Sequence, residues 1–236
     1  MTALVELTDV GKDFPMASGA YPALRDVSLT IDEGEFVAIT GPSGHGKSTL
    51  MSILGCLDRP TRGCYLLRGT DVSTLSDDRV ASLRGRFIGF VFQSFNLVPN
   101  LSALGNVELP MVYARVPKAL RQARALELLG SMGLDHHAHH RPMQLSGGQQ
   151  QRVAICRALA MGPSLVLADE PTGNLDSQTS ADILERLVAL NRNGCTVVLV
   201  THDPTVAARA RREIRVWDGR AIDGGTPGAG SRVGRG

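Results

Sequence analysis

The sequence predicts an α/β fold, on three observations. Three short apolar runs, residues 36–39, 165–168 and 196–200, are rich in Val, Leu or Ile, lack alternation and end at polar or glycine residues. That is how a strand buried on both faces of a parallel sheet reads. A glycine-rich loop follows the first run and precedes a helix-like one at residues 49–54, and loops at the carboxyl ends of such strands are where α/β proteins place ligands. The middle of the chain, about residues 101–160, switches to helical spacing.

In chain order, residues 4–7, 27–31, 64–67 and 87–92 are expected strands, some of them antiparallel. Pro117 suits the first turn of a helix. Leu120, Ala123, Leu126, Leu129 and Met132 then recur at helical spacing, and Gly133 is a natural stop. This section reads as a helical subdomain, about 95–163, inserted between halves of an α/β core, about 1–94 and 164–223, the whole forming one domain over 1–223. From Gly224 the chain turns to Gly, Pro, Ser and Arg, a tail over 224–236 expected to be disordered. There are no internal repeats.

Composition sets the limits. The chain has 236 residues, 43% apolar and 20% charged, ordinary for a globular protein with one large domain. A net charge of +2 is too near balance to argue for nucleic acid binding, and none is expected. No apolar run approaches the roughly 20 residues of a membrane helix. Glu6, Asp9 and Asp13 argue against a secretory signal. Cys56, Cys64, Cys156 and Cys195 are scattered, without a C-x-x-C pair, and read as reduced thiols.

Gly41-Pro42-Ser43-Gly44-His45-Gly46-Lys47-Ser48 fits G-x-x-x-x-G-K-[ST] fully, in the strand–loop–helix context that motif requires. Its glycines let backbone N–H groups surround phosphate oxygens, and the helix beginning near Thr49 adds its positive dipole end. Lys47 can reach β- and γ-phosphates and Ser48 can ligate Mg²⁺. A nucleoside triphosphate with Mg²⁺ is therefore the expected ligand, and ATP is the one the resemblance below implies. The run 165–168 delivers Asp169-Glu170: Asp169 as a second Mg²⁺ anchor, and Glu170 as the group that orients or deprotonates the attacking water. The run 196–200 leads to Thr201-His202-Asp203, where His202 could bond a γ-phosphate oxygen and that water. Gln93, just past the strand at 87–92, could touch Mg²⁺ or the water. Leu145-Ser146-Gly147-Gly148-Gln149-Gln150-Gln151-Arg152 reads as the start of a helix, a second anion-binding N-terminus that one phosphate loop does not need.

Taken together, these segments resemble the ATP-binding-cassette (ABC) ATPases. Residues 145–152 look like the signature motif, 41–48 like Walker A and 165–170 like Walker B. Asn174-Leu175-Asp176 resembles the D-loop, Gln93 the Q-loop glutamine and His202 the switch histidine. The likeness covers about residues 3–222. Ile53-Leu54-Gly55-Cys56-Leu57-Asp58, Phe90-Val91-Phe92-Gln93-Ser94-Phe95-Asn96-Leu97 and Asn106-Val107-Glu108-Leu109-Pro110 are similar to ATPases of the lipoprotein-release and macrolide-export group, with the cell-division ATPase nearby. The resemblance implies a P-loop NTPase core with an antiparallel β-subdomain and the inserted helices. It also implies a head-to-tail dimer with ATP held between the phosphate loop of one copy and the signature helix of the other. Ser146, Gly147 and Gly148 would meet the γ-phosphate in trans, and Asp176 would communicate across the interface. The family's adenine-stacking aromatic would be Phe14, with Tyr21 a rival.

Two residues depart from the family pattern. His45 stands where a small residue is usual and reads as a tolerated surface residue. Cys156 stands where alanine is commoner. His136, His137, His139 and His140 form a cluster whose spacing invites a metal. With Asp135 the one carboxylate close by, a solvated helix connection is the favoured reading. The resemblance implies an energy-coupling subunit on the cytoplasmic face of the cell membrane, working with integral-membrane permease subunits. Asn96, Leu97 and Leu101 are candidate contacts, and two equivalent active sites in a homodimer are the simpler expectation. A cell-division-type or regulatory ATPase that transmits force without transport carries the same motifs. DNA-repair and translation relatives usually carry coiled-coil insertions or two cassettes, and this chain has one cassette and no heptad run.

Overall fold

A computed structural model describes residues 2–17 and 19–224 of the chain. The tail expected to be disordered lies, from residue 225, outside the described residues. In chain order the elements are β1 (Ala3–Met16), β2 (Gly19–Asp32), β3 (Phe36–Thr40), α1 (Lys47–Leu54), β4 (Arg62–Leu67), β5 (Thr70–Asp71), α2 (Asp77–Phe87), β6 (Ile88–Phe92), α3 (Ala103–Tyr113), α4 (Lys118–Ser131), α5 (Gly147–Leu159), β7 (Leu165–Asp169), α6 (Ser177–Arg192), β8 (Thr196–Val200), α7 (Pro204–Ala207), β9 (Arg212–Trp217) and β10 (Arg220–Asp223). They fall into two compact units, residues 2–76 with 196–224, and residues 77–195.

The first unit holds an antiparallel sheet in the order β2-β1-β4-β5 and a second set of strands in the order β10-β9-β3-β8. The expected strands at 4–7, 27–31 and 64–67 lie inside β1, β2 and β4. β1 and β2 run further than expected, pairing out to Met16 and Gly19 in a hairpin interrupted by register shifts, which breaks any strict alternation in the sequence. β3 lies parallel to both β8 and β9, with Ile39 opposite Val200 on one side and Ile214 on the other. Val37, Ala38 and Ile39 are fully buried, as are Val197, Val198 and Leu199. Each large apolar side chain so buried contributes roughly 1.5–3 kcal/mol. Because β3 and β8 end at the same level, the loops after them open on one edge.

In the second unit β6 and β7 pair in parallel, with Phe92 opposite Asp169. A Cβ on Gly89 of β6 would collide with the Ala158 carbonyl of α5, so this glycine is there for close approach. The helix after Pro117 is present, with Pro117 as its N-cap and Gly133 at φ 67 just past its end. Its buried face takes only part of the expected stripe. Leu120, Ala123 and Leu126 are exposed, while Ala125, Leu128, Leu129 and Met132 are buried. Steps of three residues drift backward around a helix of 3.6 residues per turn, so that stripe starts on the solvent side and reaches the core only at Leu129 and Met132.

α3 begins at Ser102, whose hydroxyl accepts the Gly105 N–H at 3.1 Å. Fully buried Asn106 holds the segment before it. Its Oδ1 accepts the Val98 N–H at 2.7 Å, and its Nδ2 donates to the carbonyls of Val98, Leu101 and Ser102 at 3.1, 3.3 and 3.0 Å. Asn106→Leu keeps the volume but strands these backbone groups. It is expected to cost about 2–4 kcal/mol, read as a lower urea midpoint with unchanged m.

Candidate nucleotide site

In the first unit, residues 41–46 leave β3 and enter α1. Gly46 caps the helix at φ 104, where its backbone touches the Ala23 carbonyl of β2; a side chain would meet both strain and that oxygen. The amides of Lys47, Ser48 and Thr49 lie in the first turn of α1, where N–H groups have no intrahelical acceptor and favour an anion. A Cβ on Gly44 would meet nothing within 4 Å, so the loop's outer side is open to a ligand. Lys47 Nζ donates to the carbonyls of Gly41 and Pro42 at 2.7 and 2.8 Å. An ammonium has three donors, so one is left to turn toward a phosphate. Pro42, Ser43 and Ser48 are exposed. The loop is thus a cradle of amides and one cation, suited to a polyphosphate.

Phe14 and Tyr21, the two aromatic candidates, are direct cross-strand partners in the β1–β2 hairpin. They share one face, 38% and 48% exposed, so either ring can offer a stacking surface. Lys12 Nζ sits 5.1 Å over the Phe14 ring, held by Asp58 at 2.6 Å. At the end of β8, buried Thr201 donates its N–H to the Ile39 carbonyl at 3.1 Å. Asp203 caps α7, accepting the Thr205 N–H at 2.7 Å; the Thr205 hydroxyl and amide hold its carboxyl below the usual range. Between them His202 is exposed and lines a cavity of about 710 Å³ with Thr40, Gly41 and Pro42.

The second unit gathers Gln93, Asp169 and Glu170 at the ends of β6 and β7. Phe92 faces Asp169 in register, so Gln93 and Glu170 are the next residues on adjacent strands. Glu170 has φ 43, a left-handed backbone that costs a non-glycine residue of order 1 kcal/mol and is typical of functional positions. Gln93 Nε2 donates to Asn174 Oδ1 at 3.4 Å, and Asn174 Nδ2 returns a bond to the Gln93 carbonyl at 3.1 Å. Asp176 caps α6, accepting the N–H groups of Gln178 and Thr179 at 3.1 and 3.0 Å and the Thr179 hydroxyl at 2.6 Å. These bonds, the Thr179 hydroxyl first, hold its carboxyl below the usual range.

Ser146 caps α5 in the same unit. Its hydroxyl accepts the Gln149 N–H at 3.3 Å, and Gln149 Oε1 accepts the Ser146 N–H at 2.8 Å, a reciprocal capping box. Ser146 is exposed and Leu145 is buried beneath it. A Cβ on Gly147 would rest 3.4 Å from Leu175 Cδ2, whereas one on Gly148 would collide with Thr179 Cγ2. The four neighbouring histidines separate. His136 and His139 are exposed, and His137 and His140 pair with each other. Among the described residues no three His, Cys, Asp or Glu side chains converge as a metal site.

Residues 24–173 match the family model described as ABC transporter. The chain belongs to the ABC transporter family. It is 55% identical, over 93% of its length and 94% of the relative's, to an uncharacterized ABC transporter ATP-binding protein of Thermotoga maritima. It is 53% identical, over 92% of its length, to the macrolide export ATP-binding/permease protein MacB of Rhodopseudomonas palustris. The chain spans about a third of that relative, 33% of its length. Among solved structures, a dimeric ATP-binding cassette in a post-hydrolysis state bound to ADP and Pi superposes with a TM-score of 0.87 at 48% identity, covering 94% of this chain and 98% of that one.

Several residues of this ABC ATPase escaped the sequence reading. His45 is not a loose surface residue. Its Nδ1 accepts the Asp218 N–H at 3.0 Å, its carbonyl accepts the Gly219 N–H at 3.1 Å, and its ring lies 4.8 Å from Trp217. It fastens the phosphate loop to the β9–β10 turn. Thr179 joins the start of α5 to that of α6, since it limits Gly148 and bonds Asp176. Buried Gln151 donates to the Pro171 carbonyl at 2.6 Å, tying α5 to the segment after Glu170. Arg157 donates to the carbonyls of Asn96 and Phe95 at 2.6 and 2.9 Å, fixing the turn that carries the candidate contact Asn96. Cys156, the other departure, is buried against the Leu128 carbonyl, and burial pushes its thiol up to about 12. Only tertiary contacts reveal these links.

The Gly148–Thr179 contact is testable. Gly148→Ala is expected to lower the melting temperature by several degrees and ATP turnover by at least about tenfold. Adding Thr179→Ser, which removes the methyl and keeps the hydroxyl, should restore most of both.

Proposed function

We propose that the chain is the ATP-binding and ATP-hydrolysing subunit of a membrane transporter, and that it works as a dimer in which each ATP is held by two copies. The observation that carries this reading is the pair of separate anion-binding helix starts, one at Gly46–Lys47 and one at exposed Ser146. One nucleotide needs one phosphate loop; the second N-terminus has a use if it faces the loop of another copy. The dimeric state of the ADP- and Pi-bound neighbour supports this. Export is the activity named for the macrolide relatives, and it favours transport over force transmission alone.

Residue roles follow from donor chemistry. The amides of the loop from Gly41 to Thr49 and Lys47 bind the phosphates, with Phe14 stacking on adenine. Ser48, Gln93 and Asp169 offer hydroxyl, amide and carboxylate oxygens, the hard donor set that suits Mg²⁺, which when bound neutralises phosphate charge. Glu170 orients the attacking water and takes its proton, and His202 bonds the γ-phosphate side. Ser146, Gly147 and Gly148 serve the partner's nucleotide, and Asp176 carries the state of one site to the other. Among the described residues no helix is long and apolar enough to cross a membrane. A permease would supply the membrane path, docking near Asn96, Leu97 and Leu101 with this chain on the cytoplasmic face.

Glu170→Gln is expected to keep ATP binding, lose at least about a hundredfold in turnover, and accumulate as an ATP-bound dimer in light scattering. Near-normal turnover would remove Glu170 from the chemistry. Ser146→Arg should bind ATP as a monomer and fail to dimerise; an unchanged dimer would rule out the trans arrangement.

A further inference from the structure

We propose that His137 and His140 position the signature serine, through Gln149, so that protonation of the histidine pair loosens the cap of α5 and weakens ATP-driven dimerisation. The inference rests on the reading that Ser146 serves the partner's nucleotide.

The polarity of the network follows from one fact: the Ser146 N–H can only donate. Gln149 Oε1 accepts it at 2.8 Å, so Gln149 turns its Nε2 toward His137 Nε2, 3.1 Å away. An amide nitrogen can only donate, so His137 Nε2 accepts and the proton of that ring sits on Nδ1. His137 Nδ1 then donates to His140 Nδ1 at 3.0 Å, which leaves the His140 proton on Nε2. The rings meet edge to face, with centroids 4.9 Å apart and planes at 63°. The connection carrying them is also pinned to α3: the His140 carbonyl accepts the Ala103 N–H, and the Ala138 carbonyl accepts the Leu104 N–H, both at 2.8 Å.

A proton added to either ring has one consequence. If His137 gains it, Nε2–H points at the Gln149 N–H groups. If His140 gains it, its Nδ1–H must donate to His137 Nδ1, which moves the His137 proton to Nε2, and the same conflict arises. Gln149 answers by turning its amide over. Oε1 then faces His137 and Nε2 faces the Ser146 N–H, donor against donor, and half of the capping box is lost.

The charges around the pair do not absorb the proton. On the connection stand Asp135, His136, His139 and Arg141. Glu108 of α3 is engaged with Arg121 of α4 at 3.5 Å, and Glu127 of α4 with Arg124 at 3.0 Å; Lys118 is the remaining cation of that helix. On α5, Arg152 donates to the carbonyls of Gly148 and Met132, Arg157 to those of Phe95 and Asn96, and buried Cys156 stays a neutral thiol. Among the described residues neither imidazole of the pair is matched by a carboxylate. Imidazole is the side-chain type whose charge changes between about pH 5 and 8, which sets the two pH values of the test.

The test uses the Glu170→Gln chain, in which hydrolysis no longer contributes to the pH response. The ATP concentration for half-maximal dimerisation is measured by light scattering at about pH 8 and about pH 5.5. It should rise roughly tenfold at the lower pH, a few-fold for each of two caps. With His137→Phe added, which cannot titrate or relay, the rise should shrink below about twofold. A rise that persists in the double variant overturns the proposal and assigns the pH response to another group, such as His202. A parent dimer insensitive to pH overturns it as well. A parent that forms no ATP dimer at either pH overturns the trans reading itself. Independently of any variant, ¹⁵N imidazole spectra at pH 8 should show His137 protonated on Nδ1 and His140 on Nε2; the reverse tautomers contradict the network.

Discussion

A strand buried on both faces can offer polar side chains only where it ends. That constraint organises the chemistry of this chain. β3 is apolar through Ile39 and then releases the phosphate loop. β8 is apolar through Val200 and releases Thr201 and His202. β6 and β7 do the same for Gln93 and for Asp169 and Glu170. Parallel pairing within each unit brings such ends to one edge, because strands running the same way finish together. The apolar runs and the reactive groups are two aspects of one arrangement, and changing the length of a run would misplace the residue that follows it.

The second unit adds a different kind of order. There α5 is a hub of polar contacts. Its N-cap Ser146 answers to Gln149, Gly148 gives way to Thr179 and hence to Asp176, Gln151 holds the segment after Glu170, and Arg157 holds the turn after Gln93. A displacement of this helix is therefore felt at the segment after Glu170, at Asp176 and at the turn after Gln93. Such a helix is well placed to turn the presence of a phosphate at its N-terminus into movement elsewhere in the unit.

Much of this was legible in the sequence because it rests on local rules. The phosphate loop is set by glycines, a lysine and a serine at fixed spacing, and the buried runs by composition. The helix after Pro117 was legible in existence but only partly in orientation: of the three-residue series the core takes Leu129 and Met132, and it adds Ala125 and Leu128 in place of the earlier members. Asn106, Thr179 and His45 were opaque as structural pieces for a common reason. Each is a polar residue whose role is fixed by a partner distant in sequence or by burial, and nothing in its neighbours in the chain announces the partner. The positive φ of Glu170 is likewise invisible, since nothing in its side-chain type requires it.

The trans site is tested most directly by mixing two disabled chains. One carries Lys47→Ala and the other Ser146→Arg, and each alone should be inactive. In the mixed dimer, one site draws its lysine from the second chain and its serine from the first, so it is whole. ATP turnover should return on mixing, because each mixed dimer holds one whole site. No recovery from two folded, ATP-site-intact or signature-intact chains would mean that each site belongs to a single chain, and the shared site would be wrong.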